Sequence, residues 1–243
     1  MAGREGPVEK GKALGIGETV SSVLKRRVVK SSEERRREIL DAALKLFGER
    51  GFAETTMEEV ANAAGVAKGT IYIYFPSKEH ILLALKREFL DGLIVALTDV
   101  AADAVEALAA GAAVDYRDVI DEILEVIVTY HTDRREALQV VVRQSPGPDL
   151  VRDALELERD VVSLVSNAIA QARDFGLVHA SDPDLTARLL CDALRDTLAT
   201  SLCYDDPPDL DRLVAACKEL FYKALAPDVS LPPRRPRSVR TRP

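Results

Sequence analysis

Residues 55–78 read TTMEEVANAAGVAKGTIYIYFPSK and predict two short helices joined by a tight turn. A threonine hydroxyl can accept a hydrogen bond from a free amide in the first turn of a helix, so Thr55 and Thr56 are both candidate N-caps. A glutamate stands three residues after each of them, which completes a capping box in either register. The apolar residues that follow recur at helical spacing, and Gly65 suits the left-handed position at which such a helix stops.

The second helix is expected to run from Ala67 to about Tyr74 and to end at Pro76. Ser77 is then placed to cap a further helix that begins at Lys78. A short helix, a glycine turn and a second short helix form the spacing of a helix-turn-helix, whose second helix enters the major groove of DNA.

The second helix carries side chains that suit a groove lined with phosphates. Lys68 brings a positive charge, and Thr70, Tyr72 and Tyr74 bring hydroxyl groups for phosphate oxygens or base edges. Gly69 has no side chain, so the backbone can approach DNA closely there. At the start of the following helix, free amides and the helix dipole attract a phosphate.

This stretch closely resembles the DNA-binding domain of TetR-type transcriptional repressors, and the resemblance extends over roughly residues 32–87. A capped helix, a turn glycine, a KGT(I/L)Y recognition helix and a YFPSK exit stand in fixed register, which is more specific than helix-turn-helix spacing alone. The chain departs from the family pattern at two positions. Ala67 replaces a small hydroxyl residue, which removes a helix cap and a phosphate contact. Ile73 replaces a polar or aromatic residue, so a contact from there is expected to be apolar, as with a thymine methyl group.

The resemblance implies an all-α protein with an N-terminal three-helix, homeodomain-like helix-turn-helix domain and a C-terminal helical bundle that binds a ligand and dimerises. It implies a sequence-specific DNA-binding regulator, in the first instance a repressor released from its operator by a small molecule. Activators share this fold, so the sign of regulation stays open. The residues expected at the DNA are Thr55, Thr56, Ala67, Lys68, Gly69, Thr70, Tyr72, Tyr74 and Lys78.

Dimerisation through the C-terminal helices has a consequence for the operator. Two-fold symmetry places two recognition helices on successive faces of the duplex, so the target is expected to be an inverted repeat of double-stranded DNA. Its half-sites are expected to lie on the order of one helical turn, ~34 Å, or slightly more apart. The last two long helices are expected to be apolar on more than one face, as a helix must be to pack on its own core and on a second subunit. On the one expected to run from a cap at Ser181 or Asp182 to about Tyr204, the excess of apolar residues lies between Leu185 and Leu198.

The chain is expected to divide into four segments. Residues 1–30 are rich in glycine and charge and are predicted to be a disordered basic arm, which either reaches DNA or is simply solvated. Residues 31–80 are assigned to the DNA-binding domain and residues 81–226 to the ligand-binding and dimerisation domain. Residues 227–243, rich in proline and arginine, are predicted to be a disordered tail.

The helix that leaves the DNA-binding domain is expected to span residues 78–97 and to join it to the bundle. A separate alanine-rich helix is expected to follow and to end near Gly111. The effector cavity is predicted between the first of these and the helices up to about Arg173, and its lining stays unknown. An excess of apolar residues favours a hydrophobic or amphipathic ligand. Side chains that can reach such a cavity include Tyr116, Tyr130 and Arg143.

The net charge of −7 conceals an asymmetry. Residues 25–87 carry thirteen Lys/Arg against nine Asp/Glu, whereas the remainder carries twenty against thirty-one. A basic DNA-binding segment on an acidic remainder orients the protein on a polyanion without making it generally adhesive.

Other classes of function find little support. There is no apolar run near ~18 residues and no secretory signal, so a cytoplasmic protein without membrane contact is expected. Three cysteines without a CxxC pair or a histidine cluster argue against a metal or other cofactor. His131 is interpreted as part of a polar helix end, and no enzyme signature is apparent. The alternatives are a helical small-molecule-binding protein or enzyme whose N-terminal motif is only structural, and a non-specific DNA protein.

Overall fold

The computed structural model describes residues 31–144 and 148–227, and every regular element in them is helical. The helices are α1 (Ser32–Arg50), α2 (Met57–Ala63), α3 (Lys68–Tyr74), α4 (Lys78–Ala109), α5 (Tyr116–Asp133), α6 (Arg135–Arg143), α7 (Val151–Asp174), α8 (Pro183–Tyr204) and α9 (Leu210–Leu225), with a 3-10 turn at Pro148–Leu150. The all-α prediction is confirmed. The predicted basic arm and all but the first residue of the predicted tail lie outside the described residues.

The N-terminal helices form around a small apolar core. Ser31 and Glu34 make the predicted capping box at the start of α1, with the Glu34 amide 3.1 Å from the serine hydroxyl. Gly51, at φ 89°, follows the last turn of α1. Apolar side chains of α1 to α4 then meet in the interior, among them Ile39, Leu40, Phe47, Val60, Ile71, Phe75 and Ile81.

The connecting helix is longer than predicted. A break near residue 97 was expected, but α4 is one helix of 32 residues, about 48 Å long. The alanine-rich sequence that follows residue 97 has high helix propensity and contains no proline, so nothing interrupts the hydrogen-bonding ladder. Buried Phe89, Leu93, Leu97 and Val100 continue one face across the expected break. The helix stops where Gly111 adopts φ 78°.

The remaining helices form a bundle whose ends follow the sequence signals. Asp115, Asp182 and Asp209 each accept a hydrogen bond from a backbone amide in the first turn of α5, α8 and α9. Gly176, at φ 78°, ends α7. Within the described ranges, each helix falls short of the uninterrupted apolar length that a bilayer crossing demands.

His131 departs from its predicted place at a polar helix end. Only 6% of its surface is exposed, and its ring packs edge-on against Phe89 with the centroids 5.3 Å apart. Its Nδ1 lies 2.7 Å from the Ile127 carbonyl oxygen, and burial lowers the pKa of the imidazole. The reason is that α6 begins two residues after α5 ends, so the side of the last turn of α5 that carries Tyr130 and His131 stays in the core.

Candidate nucleic-acid interface and ligand cavity

Of the two adjacent threonines, Thr56 caps α2. Its hydroxyl accepts a hydrogen bond from the Glu59 amide at 3.3 Å, and the Glu59 carboxylate accepts one from the Thr56 amide at 2.9 Å. Hydrogen bonds from Thr56 lower the pKa of Glu59. Both partners of the capping box are therefore fixed, and the exposed Thr56 side chain stands at the start of α2.

Thr55 has a structural role instead. It is 1% exposed, and its hydroxyl donates to the carbonyl oxygen of Gly51 at 2.8 Å. A hydroxyl enclosed in this way has no access to a phosphate. The prediction that Thr55 contacts DNA is therefore corrected: its side chain ties the loop before α2 to the end of α1.

The turn between α2 and α3 is a Schellman motif. The Gly65 amide donates to Asn62 at 3.2 Å and the Val66 amide donates to Ala61 at 2.9 Å. Gly65 has φ 65°, which a residue with a side chain rarely adopts. This pair of bonds ends α2 and sets the direction in which α3 leaves.

Helix α3 has one buried side and one exposed side. Ile71 is fully buried and Phe75 is 4% exposed, whereas Tyr72 is 47% and Ile73 81% exposed. The other predicted DNA-contacting residues on α3 and at its start are exposed or half-buried: Ala67, Lys68, Gly69, Thr70 and Tyr74. Ala67 holds the N-cap position without a side-chain hydrogen bond, as its departure from the family pattern implies.

Lys68 is paired with a carboxylate in the free protein. Its ammonium lies 2.7 Å from Glu58, and both side chains are exposed. The hydrogen bond that Lys68 donates to Glu58 raises the pKa of Lys68. A phosphate that binds Lys68 must therefore compete with Glu58, which the sequence pattern did not reveal.

Lys78 is engaged differently from its predicted phosphate-binding role. Its ammonium donates to the carbonyl oxygens of Phe52, Ala53 and Thr55 at 2.9, 3.0 and 3.2 Å. The same group lies 4.7 Å from the centre of the Phe52 ring. An ammonium has three N–H donors, and three carbonyls are within reach, so the side chain is committed to the loop between α1 and α2. The first residue of α4 thereby holds that loop in place.

An open, polar groove of about 560 Å³ adjoins these residues. It brings together five of the nine predicted DNA-contacting residues: Thr55, Thr56, Lys68, Tyr72 and Lys78. Ser77 also lines it, and its hydroxyl lies 3.0 Å from the Nδ1 atom of His80 rather than capping α4. The remaining four predicted residues, Ala67, Gly69, Thr70 and Tyr74, lie outside this groove.

A second cavity, of about 280 Å³, lies inside the bundle. Its walls are side chains of α4, α5, α7, α8 and α9, mostly aliphatic. Exposed lining residues, Val105 on α4 and Phe175 after α7, mark the side on which it meets solvent. The amide side chains that line it, Asn167 and Gln171, belong to exposed residues of α7.

Of the three side chains predicted to be able to reach a cavity, one lines it and two bind backbone carbonyl oxygens instead. Tyr116 lines it. Tyr130 instead donates to the Phe89 carbonyl oxygen at 2.7 Å, and Arg143 donates to the Cys203 carbonyl oxygen at 2.6 Å. Helices α8 and α9 also contribute walls, which periodicity alone did not reveal because it shows that a face is apolar but not what the face encloses.

Cys191 is part of the cavity wall. Burial raises the pKa of its thiol to about 11, so it is protonated at neutral pH and acts as a small apolar group. Across the described residues, histidine, cysteine and carboxylate side chains do not gather into a set that would hold a metal ion.

Comparison with known proteins agrees with the geometry of the N-terminal helices. Residues 39–85 match the family model for bacterial regulatory proteins of the tetR family. Over 196 residues the chain is 26% identical to YhgD of Bacillus subtilis, an uncharacterised HTH-type transcriptional regulator, and the match covers 78% of this chain and 95% of that protein. The chain is a TetR-type transcriptional regulator.

Solved structures extend the likeness of this TetR-type regulator to the whole fold. The fatty acid degradation regulator FadR of Bacillus halodurans superposes with a TM-score of 0.66 at 22% identity, over 82% of this chain and 100% of that one. FadR of Thermus thermophilus, a TetR-family transcriptional repressor solved with lauroyl-CoA, superposes with a TM-score of 0.59 at 25% identity, over 81% and 98% of the two chains. The predicted arrangement of a helix-turn-helix domain followed by a helical domain is confirmed.

Proposed function

We propose that this regulator is a repressor that binds an inverted-repeat operator as a homodimer and leaves it when a small molecule enters the bundle cavity. The observation that carries the proposal is helix α4. Its first residue, Lys78, holds the loop of the DNA-binding helices, and its last turns, from Leu97 to Leu108, form a wall of the cavity. A displacement of that wall is therefore transmitted along α4 to the loop that Lys78 holds and so to the DNA-binding helices.

The DNA-facing side chains divide by role. We assign Thr56 and Tyr72 to phosphates, because both are exposed and line the polar groove. Lys68, Thr70 and Tyr74 contact phosphates or base edges from α3, and the small residues Ala67 and Gly69 let the backbone approach.

A hydrogen bond from helix α5 holds α4 at a point between the DNA-binding end and the cavity end of α4. The Tyr130 hydroxyl donates to the Phe89 carbonyl oxygen within α4. A side chain at Gly92 would bring its Cβ into collision with that hydroxyl, so glycine permits this close approach. This hydrogen bond lies between the DNA-binding end of α4 and the cavity wall, and we propose that α4 tilts about it.

Release from DNA is a shift in population. The ligand must bind the conformer with mismatched recognition helices more tightly than the DNA-bound conformer. A hundredfold weakening of operator binding requires about 2.7 kcal/mol of differential affinity. A cavity of 280 Å³ that is apolar on nearly all sides can bury hydrocarbon, and this burial provides the differential energy if the DNA-bound conformer closes part of the cavity.

The proposed effector is amphipathic. The interior of the cavity offers hydrocarbon, and the amides of Asn167 and Gln171 stand on exposed residues of the lining. An extended apolar chain inside, with a polar group toward solvent, fits this distribution. The lauroyl-CoA complex of the Thermus thermophilus relative supports an acyl thioester as the first compound to try.

The proposed homodimer forms through the C-terminal helices. On α8, Leu185, Leu189 and Tyr204 are 54%, 61% and 67% exposed, and Leu155 on α7 is 53% exposed. Large apolar side chains at this density on two adjacent helices are suited to a self-complementary interface. A chromosomal target places the protein in the cytoplasm.

The function is tested by electrophoretic mobility shift. Operator DNA is first selected from a randomised duplex library, and retention is then measured at moderate salt with lauroyl-CoA, dodecanoate or free coenzyme A. We expect selection of an inverted repeat and release by an acyl compound but not by free coenzyme A. Failure to retain any duplex would favour the carrier or enzyme alternative, and equal competition by random DNA would favour a non-specific DNA protein.

A further inference from the structure

We infer that Ile73 reads a thymine methyl group on the floor of the major groove and so helps to determine which operator is selected. The inference rests on the proposed DNA-binding function. It assigns a role in sequence specificity to Ile73, an apolar residue that is not among the nine residues predicted at the DNA.

The backbone of α3 places Ile73 at the centre of its exposed side. Buried Ile71 and Phe75 define the core side. Successive residues are about 100° apart around a helix, so Ile73 lies about 200° from each of them, opposite both. It is 81% exposed, and within the described residues no large apolar side chain is more exposed.

The neighbours of Ile73 leave it prominent. Gly69 and Thr70 precede it by four and three residues and therefore share its face. An added Cβ at Gly69 would meet nothing within 4 Å. One neighbour thus has no side chain and the other has a short one, while Tyr72 and Tyr74 lie to either side. Ile73 is therefore the bulky side chain at the centre of the exposed side of α3.

The chemistry of the side chain selects its partner. Isoleucine has no hydrogen-bonding group, so it cannot satisfy a phosphate oxygen or a polar base edge, and covering one would cost free energy. Among the four bases, thymine presents a methyl group in the major groove. The same helix begins with Lys68, and that charge favours a polyanion over an apolar protein surface as the occupant.

The test removes the methyl group and nothing else. Each thymine of the selected operator is replaced in turn by deoxyuridine, and binding of the full-length protein is measured by mobility shift or fluorescence anisotropy. At one thymine in each half-site we expect affinity to fall about fourfold, the factor that corresponds to about 0.8 kcal/mol for one buried methyl group. Substitution in both half-sites should multiply the losses.

Two variants connect that methyl group to Ile73. Ile73→Val keeps an apolar side chain and should retain the preference for thymine over uracil, whereas Ile73→Ser should bind both operators equally. Both variants should unfold at the wild-type temperature, because the side chain is exposed.

Three outcomes would overturn the inference. If deoxyuridine at every thymine leaves wild-type affinity unchanged, or if Ile73→Ser discriminates as well as the wild type, Ile73 does not read a base; either result leaves the proposed repressor function intact. If the library yields no preferred sequence at all, the inference falls together with the sequence-specific function on which it rests.

Discussion

The recognition surface and the bundle cavity are built on opposite principles. On the recognition surface, formed by α2, α3 and the start of α4, three polar groups have local partners: Thr56 caps α2, Lys68 pairs with Glu58, and Lys78 binds three carbonyls of one loop. The cavity is made of apolar side chains from five helices that are distant in sequence. The first is a surface whose hydrogen bonds and ion pairs DNA must partly replace. The second is a cavity that binds a ligand by removing apolar surface of the ligand from water.

This difference predicts that the two regions respond to different substitutions. A change in cavity volume should alter the response to effector without altering DNA binding, and a change of charge near α3 should do the reverse. The strength of each effect follows from the contacts involved.

The largest effect is expected from filling the cavity. Ala101 lines it from α4, so Ala101→Trp should occupy much of the space and weaken effector binding by about a hundredfold or more, the loss expected when an apolar chain is denied its pocket. Isothermal titration with the active acyl compound measures this. Ala102→Trp, one residue along and exposed, is the matched control and should bind the effector normally. Equal loss in both variants would contradict the cavity assignment.

The next effect concerns the loop held by α4. Lys78→Met removes an ammonium from three carbonyl oxygens, which should destabilise the loop by about 1–3 kcal/mol and weaken binding to all duplexes by roughly tenfold. Denaturant unfolding and mobility shift measure the two losses. Because the ammonium is committed to the protein, the slope of log affinity against log salt should stay unchanged. A slope flatter by about one charge would show instead that Lys78 also binds a phosphate.

A smaller effect, of opposite sign, is expected at the ion pair on the recognition surface. Glu58→Gln removes the carboxylate that competes with phosphate for Lys68, so affinity for DNA should rise by a few-fold and its salt dependence should steepen. Glu54→Gln, an exposed change outside α2, provides the control for net charge. If both variants gain equally, the effect belongs to overall charge and not to this pair.

The smallest effect is a pH dependence that belongs to the bundle alone. Burial depresses the pKa of His131, so the unfolded chain binds a proton at this residue more readily than the folded one. Its contribution to stability is therefore fully present above its unfolded pKa and declines as pH falls below about 6.5, by at most about 1.4 kcal/mol per pH unit. Denaturant midpoints between pH 7 and 5 measure this. His131→Asn should flatten the decline, whereas the exposed substitution His179→Asn should not.

Local chemistry accounts for how well the DNA-binding helices could be predicted. Capping boxes, a turn glycine and a proline act within four residues of one another, so the bounds of α2 and α3 follow from short stretches of sequence. The failures there have tertiary causes. Thr55 and Thr56 are chemically equivalent in sequence, and packing against α1 decides which of them is buried. Lys78 reaches carbonyls more than twenty residues earlier in the chain, which no local pattern shows.

The sequence by itself determined the class of protein, the ends of most helices and the residues that α3 carries, because helix caps and apolar periodicity are local properties. Tertiary structure alone decided the Lys68–Glu58 pair, the three carbonyls that Lys78 binds, the burial of His131 and the cavity walls. These features depend on which side chains, far apart in the sequence, come into contact when the apolar faces are buried. Periodicity reveals that a face will be buried, and only packing determines what lies against it.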